Sequence, residues 1–327
     1  MKSMDIVACT DRWFVMPTGV MILSVCINNP DVDIIFHVVV NSDVTDQDKL
    51  ELENIVSVYS GKSIRFYSFK ENFLSETFPS GENKYNITET TYFRLYIGEL
   101  LPKTIDKVLY LDGDIIVRHS LLPLWSESLE GCPLAAVCDG YEGEIEFYNR
   151  LKYPPYLGYF NAGVLLINLK YWRENQVIKL FKDYMDGNFE RIKFHDQDVL
   201  NAVFSEKKRR LPILFNLQDK FLYKEPKYDY WKYEEEVLEA RKDPVVVHFT
   251  GCKPWEKFQI YPHPYRSLFY KYQDLTIWKG VIYDRRPKTN WKSKIFNVIY
   301  SILIRLKINK HSNPAMSSVF LDFSPVE

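Results

Sequence analysis

Apolar and polar residues along this chain switch repeatedly between two periods. Short β-branched runs at residues 5–10, 34–40, 63–67 and 107–111 predict strands, and the stretches between them predict helices. Residues 18–25 form the first of these helices. Thr45-Asp-Gln-Asp48 opens the next: it offers a capping hydroxyl and an acid three residues on, ahead of Leu50, Leu52, Ile55 and Val56. Residues 92–100 predict a third helix, which stops before Pro102. The order then loosens, with strands at 134–137, 160–168 and 245–248 and helices at 171–185 and 197–204. Strands alternating with helices predict an α/β fold.

One segment carries chemistry on this scaffold. In Lys107-Val-Leu-Tyr-Leu-Asp-Gly-Asp-Ile-Ile-Val117, Asp112 and Asp114 emerge at the carboxyl end of an apolar run, where open α/β sheets bind ligands. Residues two apart in an extended segment share a side, so the carboxylates converge, and Gly113 admits close approach to the backbone. Two converging carboxylates suit a hard divalent cation. Asp-Gly is also a hairpin turn, and only the upstream strand–helix alternation separates the two readings. The chain then divides into a Rossmann-like nucleotide-binding half with a mixed central sheet and a substrate-shaping half, fused without a Pro- or Gly-rich linker.

Composition narrows the setting. A length of 327 residues with 46% hydrophobic composition suits one large domain with a tail. Five cysteines, odd in number and without C-x-x-C spacing, indicate neither a disulfide framework nor structural zinc, so a reducing compartment is expected. Met1-Lys2-Ser3-Met4 leads straight into a strand, with no room for the apolar core of a signal peptide. A cytoplasmic protein is expected, and the sequon Asn86-Ile-Thr88 then carries no weight.

The net charge of −1 conceals a basic tail: residues 285–310 hold eight Lys or Arg and no acid. The body is acidic and shows no basic face, which excludes a nucleic-acid partner. Within the tail, residues 291–308 mix aromatic and aliphatic side chains with flanking Lys and Arg, in an apolar stretch shorter than the roughly 20 residues that span a bilayer. A peripheral anchor on an anionic membrane surface is one reading; a C-terminal helix packed on the body is the other. The division expected is a catalytic domain over 1–280 and a tail over 281–327.

Five segments fall in a recognisable order: Asp5-Ile-Val-Ala-Cys-Thr-Asp11; Thr91-Tyr-Phe-Arg-Leu95; Leu111-Asp-Gly-Asp114; Tyr159-Phe-Asn-Ala-Gly-Val164 with His195-Asp-Gln-Asp-Val-Leu-Asn201; and Val247-His-Phe-Thr-Gly-Cys-Lys-Pro-Trp255. Spanning about three quarters of the chain, they resemble glycosyltransferase family 8. These are retaining enzymes that include lipooligosaccharide galactosyltransferases, the glucosyltransferases of lipopolysaccharide core synthesis, and glycogenin. The resemblance implies a GT-A fold and a UDP-glucose or UDP-galactose donor. It also implies Mn²⁺ as the usual metal, with Mg²⁺ as a substitute, and a glycan or glycolipid acceptor of lipopolysaccharide or capsule type.

The resemblance also assigns residues. Asp112, Asp114 and His248 would hold the metal, Gly251 would let backbone approach phosphate, and Lys253 would neutralise the leaving diphosphate. Asp11 would bind the uracil N3 hydrogen, with Cys9 and Thr10 lining the base pocket through backbone atoms. Here the chain departs from the family, carrying Arg12-Trp13-Phe14 where many members have small polar residues. Arg94 would contact the donor, and Asn161, Ala162, Asp196 and Gln197 would read its sugar. Apart from the resemblance, Asp139 follows a strand ending at Val137 and is expected to face the acceptor.

Gln197 is expected beneath the anomeric carbon, and an amide is a poor nucleophile. Front-face attack by the acceptor is therefore expected, with a covalent intermediate on Asp196 or Asp198 as the competing route.

Each of these residues also has a plainer reading. His248 is then a structural histidine, Asp11 and Asp196 are helix caps, Asn161 is a turn residue, and Arg94 faces solvent. The Tyr-rich segment 141–156 borders the acceptor cleft, and Lys207-Lys-Arg-Arg210 either orients an anionic acceptor or forms a solvated turn. Two other functions compete: a non-catalytic nucleotide-sugar-binding protein of the same fold, and a phosphohydrolase. The latter lacks an acidic nucleophile motif on its first strand.

Overall fold

The computed structural model describes residues 3–68, 89–222, 233–257 and 263–283; the Asn86 sequon and the tail after 283 lie outside them. Seven strands form the main sheet in the order β3-β2-β1-β4-β7-β6-β8. These are β1 (Ser3–Thr10), β2 (Asp33–Val40), β3 (Lys62–Ser68), β4 (Lys107–Leu111), β6 (Leu134–Cys138), β7 (Phe160–Asn168) and β8 (Arg209–Leu211). The first four run parallel in the 3-2-1-4 order of a dinucleotide-binding half, and β7 lies antiparallel between β4 and β6. A second sheet joins β5 (Ile115–Val117), β10 (Val246–His248) and β9 (Leu217–Gln218).

Residues of both parities are buried. In β1, Ile6 and Ala8 enter one core and Val7 the other; in β7, Val164 and Leu166 oppose Leu165 and Ile167 in the same way. Burial on both faces is why these strands read as continuous apolar runs rather than alternating ones. Helix α1 (Val15–Asn28) packs on the first face with twelve of its fourteen residues buried. It begins earlier than the apolar pattern suggests, because Asp11 Oδ1 accepts from Trp13 N and Phe14 N and turns the chain directly into it. Helix α2 (Asp46–Ser57) opens on the expected capping box, with Thr45 and Asp48 bonded reciprocally.

Three expectations are corrected. Residues 92–100 are a 3₁₀ segment, Glu89–Tyr96, followed by a single α-turn at Ile97–Leu100. The helix expected at 171–185 is two helices, Leu169–Glu174 and Val177–Asn188, broken at Gln176, whose φ of 49° is left-handed. Arg173 pins the first of them by donating to the carbonyls of Gly98, Leu101, Pro102, Lys103 and Ile105. The basic cluster at 207–210 is only partly a solvated turn: Lys207 is an exposed bend residue, but Arg209 and Arg210 lie in β8, where Arg210 pairs with Glu236 and stacks on Tyr233.

This topology sets the place of the site. The strand order reverses between β1 and β4, so their carboxyl ends flank the crevice where such sheets bind ligands. Because β7 runs antiparallel to β4, its amino end extends beside that crevice.

Candidate active site

Asp112 follows the last residue of β4, and its backbone N donates to Gly163 O of β7 at 2.9 Å. Asp114 precedes β5, whose antiparallel partner places His248 opposite Ile115, and Phe249 N donates to Asp114 O at 3.0 Å. Two sheets thus deliver three potential ligands to one point. One ligand atom each from Asp112, Asp114 and His248 lie within 4.8 Å of one another, with His248 Nε2 at 3.1 Å from Asp114 Oδ1 and 3.8 Å from Asp112 Oδ2. Two carboxylate oxygens and an imidazole nitrogen suit Mn²⁺ or Mg²⁺ better than a soft ion. The space is made by Gly163, a residue that sequence reasoning did not single out: a Cβ there would collide with His248 and approach Asp112 Oδ2 to 2.8 Å. Its only sequence signal is its place in the 159–164 segment.

Gly113 also admits helix α1: a Cβ there would stand 2.5 Å from Thr18 Oγ1. Lys253 reaches the same centre, donating to Asp114 Oδ2 at 2.5 Å and to Phe249 O. Burial raises the energy of the Asp114 carboxylate, but Lys253 and His248 outweigh it and hold its pKa far below the usual carboxylate range. Gly251 lies exposed two residues before Lys253.

A cavity of about 170 Å³ adjoins this centre, lined by Asp112, Gly113, Asp114, Arg94, Cys9 and Asp11, together with Phe14, Thr90, Thr91 and Tyr110. Cys9 is a neutral thiol there, burial pushing its pKa up to about 12. Thr10 is buried beside the cavity, donating to Asp11 O and accepting from Thr18 Oγ1. Asp11 turns the chain ahead of α1 by accepting from Trp13 N and Phe14 N, while the cap position itself is Phe14, and it also lines the cavity. Phe14 puts an aromatic ring into the lining, and Trp13 packs edge-on against Tyr283 with ring centroids 6.2 Å apart.

Arg94 is not solvent-facing. It is buried over the Tyr110 ring, with Nη2 donating to Asp112 Oδ1 at 2.9 Å, Nη1 to Ala162 O at 2.5 Å, and Nε 2.7 Å from Asp196 Oδ2. That last approach is an ion pair without a well-aligned hydrogen bond. Burial therefore prevails over Arg94 and pushes the Asp196 pKa up to about 7.

Asn161, Ala162, Gln197 and Asp139 form one network. Gln197 Oε1 accepts from Ala162 N at 2.9 Å, and its Nε2 lies 3.2 Å from both Asp139 Oδ2 and Tyr159 Oη. Asn161 Nδ2 donates to the same Asp139 oxygen at 3.1 Å. Burial raises the Asp139 pKa against these donors. Asp198 is buried and engaged on every side, by Arg150, Tyr159 Oη, Lys193 N and Phe194 N. Arg150 lies on the helix Ile145–Leu151, so this pair clamps the Tyr-rich 141–156 segment to the helix His195–Val203 that carries Gln197.

A switch-point crevice carrying an Asp-Gly-Asp pair, a histidine and a buried arginine, beside an amide-rich network, defines a metal-assisted nucleotide-sugar transferase of the GT-A class. Residues 5–259 match Glycosyl transferase family 8, and the chain belongs to that family. It is 32% identical to the lipopolysaccharide 1,3-galactosyltransferase of Salmonella typhimurium over 264 residues, covering 77% of this chain and 73% of that one. It is 27% identical to general stress protein A of Bacillus subtilis over 286 residues, covering 86% and 96%. Among solved structures, the galactosyltransferase LgtC in complex with donor and acceptor sugar analogs matches with a TM-score of 0.70 and 28% identity, over 89% of this chain and all of that one.

Proposed function

We propose that this protein is a retaining hexosyltransferase that moves glucose or galactose from a UDP-sugar to a cell-surface glycan acceptor of lipopolysaccharide or capsule type. The observation that carries this reading is the convergence of Asp112, Asp114 and His248 at the carboxyl end of β4, within the family match. Names of the relatives support the hexose and the acceptor class, since they include a lipopolysaccharide 1,3-galactosyltransferase and a lipopolysaccharide 1,2-glucosyltransferase.

A divalent cation, Mn²⁺ or Mg²⁺, held by these three residues would act as a Lewis acid on the departing diphosphate. Lys253 adds a second positive charge at the same place. Asp11, Cys9 and Thr10 form the base end of the cavity, with the Phe14 ring as a flat wall. Arg94 fixes Asp112 and Asp196 together and so holds the phosphate end and the sugar end in register. Asn161, Ala162 and Gln197 read the sugar hydroxyls, and Asp139, one step farther along the network, faces the acceptor.

The saturation of Asp198 and the amide character of Gln197 favour front-face attack, in which the leaving phosphate takes the acceptor's proton. The basic segment 285–310 would hold the protein on the inner face of an anionic membrane, near a lipid-linked acceptor. Among the described residues no helix is long and apolar enough to cross a membrane.

The test is transfer from UDP-glucose and UDP-galactose to a lipopolysaccharide-type glycolipid, with the product's anomeric configuration read by NMR. An α-linked hexose supports the reading; a β-linked product or the absence of transfer from every hexose donor and glycolipid acceptor refutes it.

A further inference from the structure

Asn216 lies outside the five segments quoted above. It lies between the 3₁₀ turn Ile213–Phe215 and β9, fully buried between His248 and Asn161. A backbone group fixes the direction of every hydrogen bond around it. Gly163 N can only donate, and it donates to Asn161 Oδ1 at 3.0 Å. The same oxygen accepts from Asn216 Nδ2 at 2.9 Å, so Asn216 turns its own Oδ1 toward His248 Nδ1, 2.9 Å away. An amide oxygen only accepts; the proton therefore sits on Nδ1. Nε2, the atom facing Asp112 and Asp114, is left to offer its lone pair. On the other side, Asn161 Nδ2 continues the chain to Asp139 Oδ2 and thence to Gln197.

We propose that Asn216 is a positioning residue with two separable roles: its oxygen sets the tautomer and ring orientation of the metal ligand His248, and its amide nitrogen ties that ligand to Asn161 and the sugar-facing network. The inference rests on the metal-assisted reading above. Partners of this kind behind a metal ligand are worth about 10- to 100-fold in metal affinity or activity.

The test uses the full chain with UDP present, following free Mn²⁺ by electron paramagnetic resonance and measuring kcat for UDP release from the hexose donor that turns over. Asn216→Ala removes both roles, and its Mn²⁺ affinity is expected to fall about 10- to 100-fold. Asn216→Asp keeps an oxygen for Nδ1–H but cannot donate to Asn161. It is expected to hold Mn²⁺ within about threefold of the parent while kcat drops by about tenfold or more. A residue that only fills the core would lower the melting temperature without separating metal affinity from turnover.

Unchanged Mn²⁺ affinity in a folded Asn216→Ala variant overturns the proposal, as does an Asn216→Asp variant that keeps full turnover. The second result decides the matter if the alanine variant does not fold. Failure of the parent protein itself to bind Mn²⁺ would remove the metal centre, and this inference with it.

Discussion

Arg94 Nη2 donates to Asp112 Oδ1 at 2.9 Å, which commits one oxygen of that carboxylate to a buried guanidinium and leaves Oδ2 on the side of His248. Arg94 also stands 2.7 Å from Asp196, so a single planar cation joins Asp112 to Asp196. No ammonium reproduces that fork. Arg94→Lys is expected to lower kcat by about 100-fold through misplacement of Asp112, measured as UDP release at saturating donor. Arg94→Ala strips the buried Asp196 and the half-buried Asp112 of their shared cation and should cost about 3–5 kcal/mol of stability in urea unfolding. Near-parental turnover in Arg94→Lys would show that the bridge does not matter.

Gly163 is the second point of sensitivity. The methyl of Gly163→Ala would enter the space of His248 and Asp112, at a cost of about 1–3 kcal/mol and with loss of Mn²⁺ affinity by calorimetry. Gly187, on the helix Val177–Asn188, has open space around its would-be Cβ. Gly187→Ala should stabilise the fold by up to about 1 kcal/mol and leave Mn²⁺ affinity unchanged. Equal Mn²⁺ affinities in the two variants would contradict the role given to Gly163.

Much of the fold was legible because β-branched runs and a capping box are local signals: β1, β2, β3, β4, β7 and α2 fall within two residues of their expected limits. The breaks were not legible. Gln176 interrupts a continuous amphipathic pattern by turning left-handed just after the C-cap Asn175, while Arg173 ties the first helix to carbonyls between Gly98 and Ile105, contacts that no local pattern announces. β8 reads as charged because it is an edge strand whose arginine is neutralised by Glu236, 26 residues away.

The same division holds at the site. Asp112, Asp114 and His248 carry their chemistry in their identity and came together as expected, whereas Asn216, Gly163 and the burial of Arg94 are products of strand pairing. An Asn outside those five segments gives no signal until β9 is laid beside β10.

No covalent sugar is expected on Asp196 or Asp198. Asp198 accepts from Arg150, Tyr159 Oη and two backbone amides, and Asp196 is held by Arg94, so neither is free to attack. Mass spectrometry of protein quenched during turnover should show both peptides unmodified. A hexosyl adduct on either, forming and decaying at the rate of turnover, would establish double displacement instead.

Lys208 supplies a pH test outside the site. It donates to Gly158 O and Ser205 O, and burial brings its pKa down to about 8. A lysine depressed in the folded state contributes stability above its unfolded pKa and loses it as pH falls through the folded one. Relative to Lys208→Met, the parent should therefore lose stability as pH falls from about 10 to about 8 and then hold level, by about 1 kcal/mol after allowance for partial exposure. Urea unfolding at several pH values reads this directly; a difference independent of pH would contradict it.

The central claim is that Asp112, Asp114 and His248 form the metal centre of a UDP-hexose transferase. It is tested most directly by UDP release from a panel of UDP-sugars with and without Mn²⁺, in the parent protein and in a double variant carrying Asp112→Asn and Asp114→Asn. Metal-dependent release from UDP-glucose or UDP-galactose, lost in the double variant while the fold is kept, is the expected result. Release that proceeds equally without Mn²⁺, or that survives in the double variant, would contradict it.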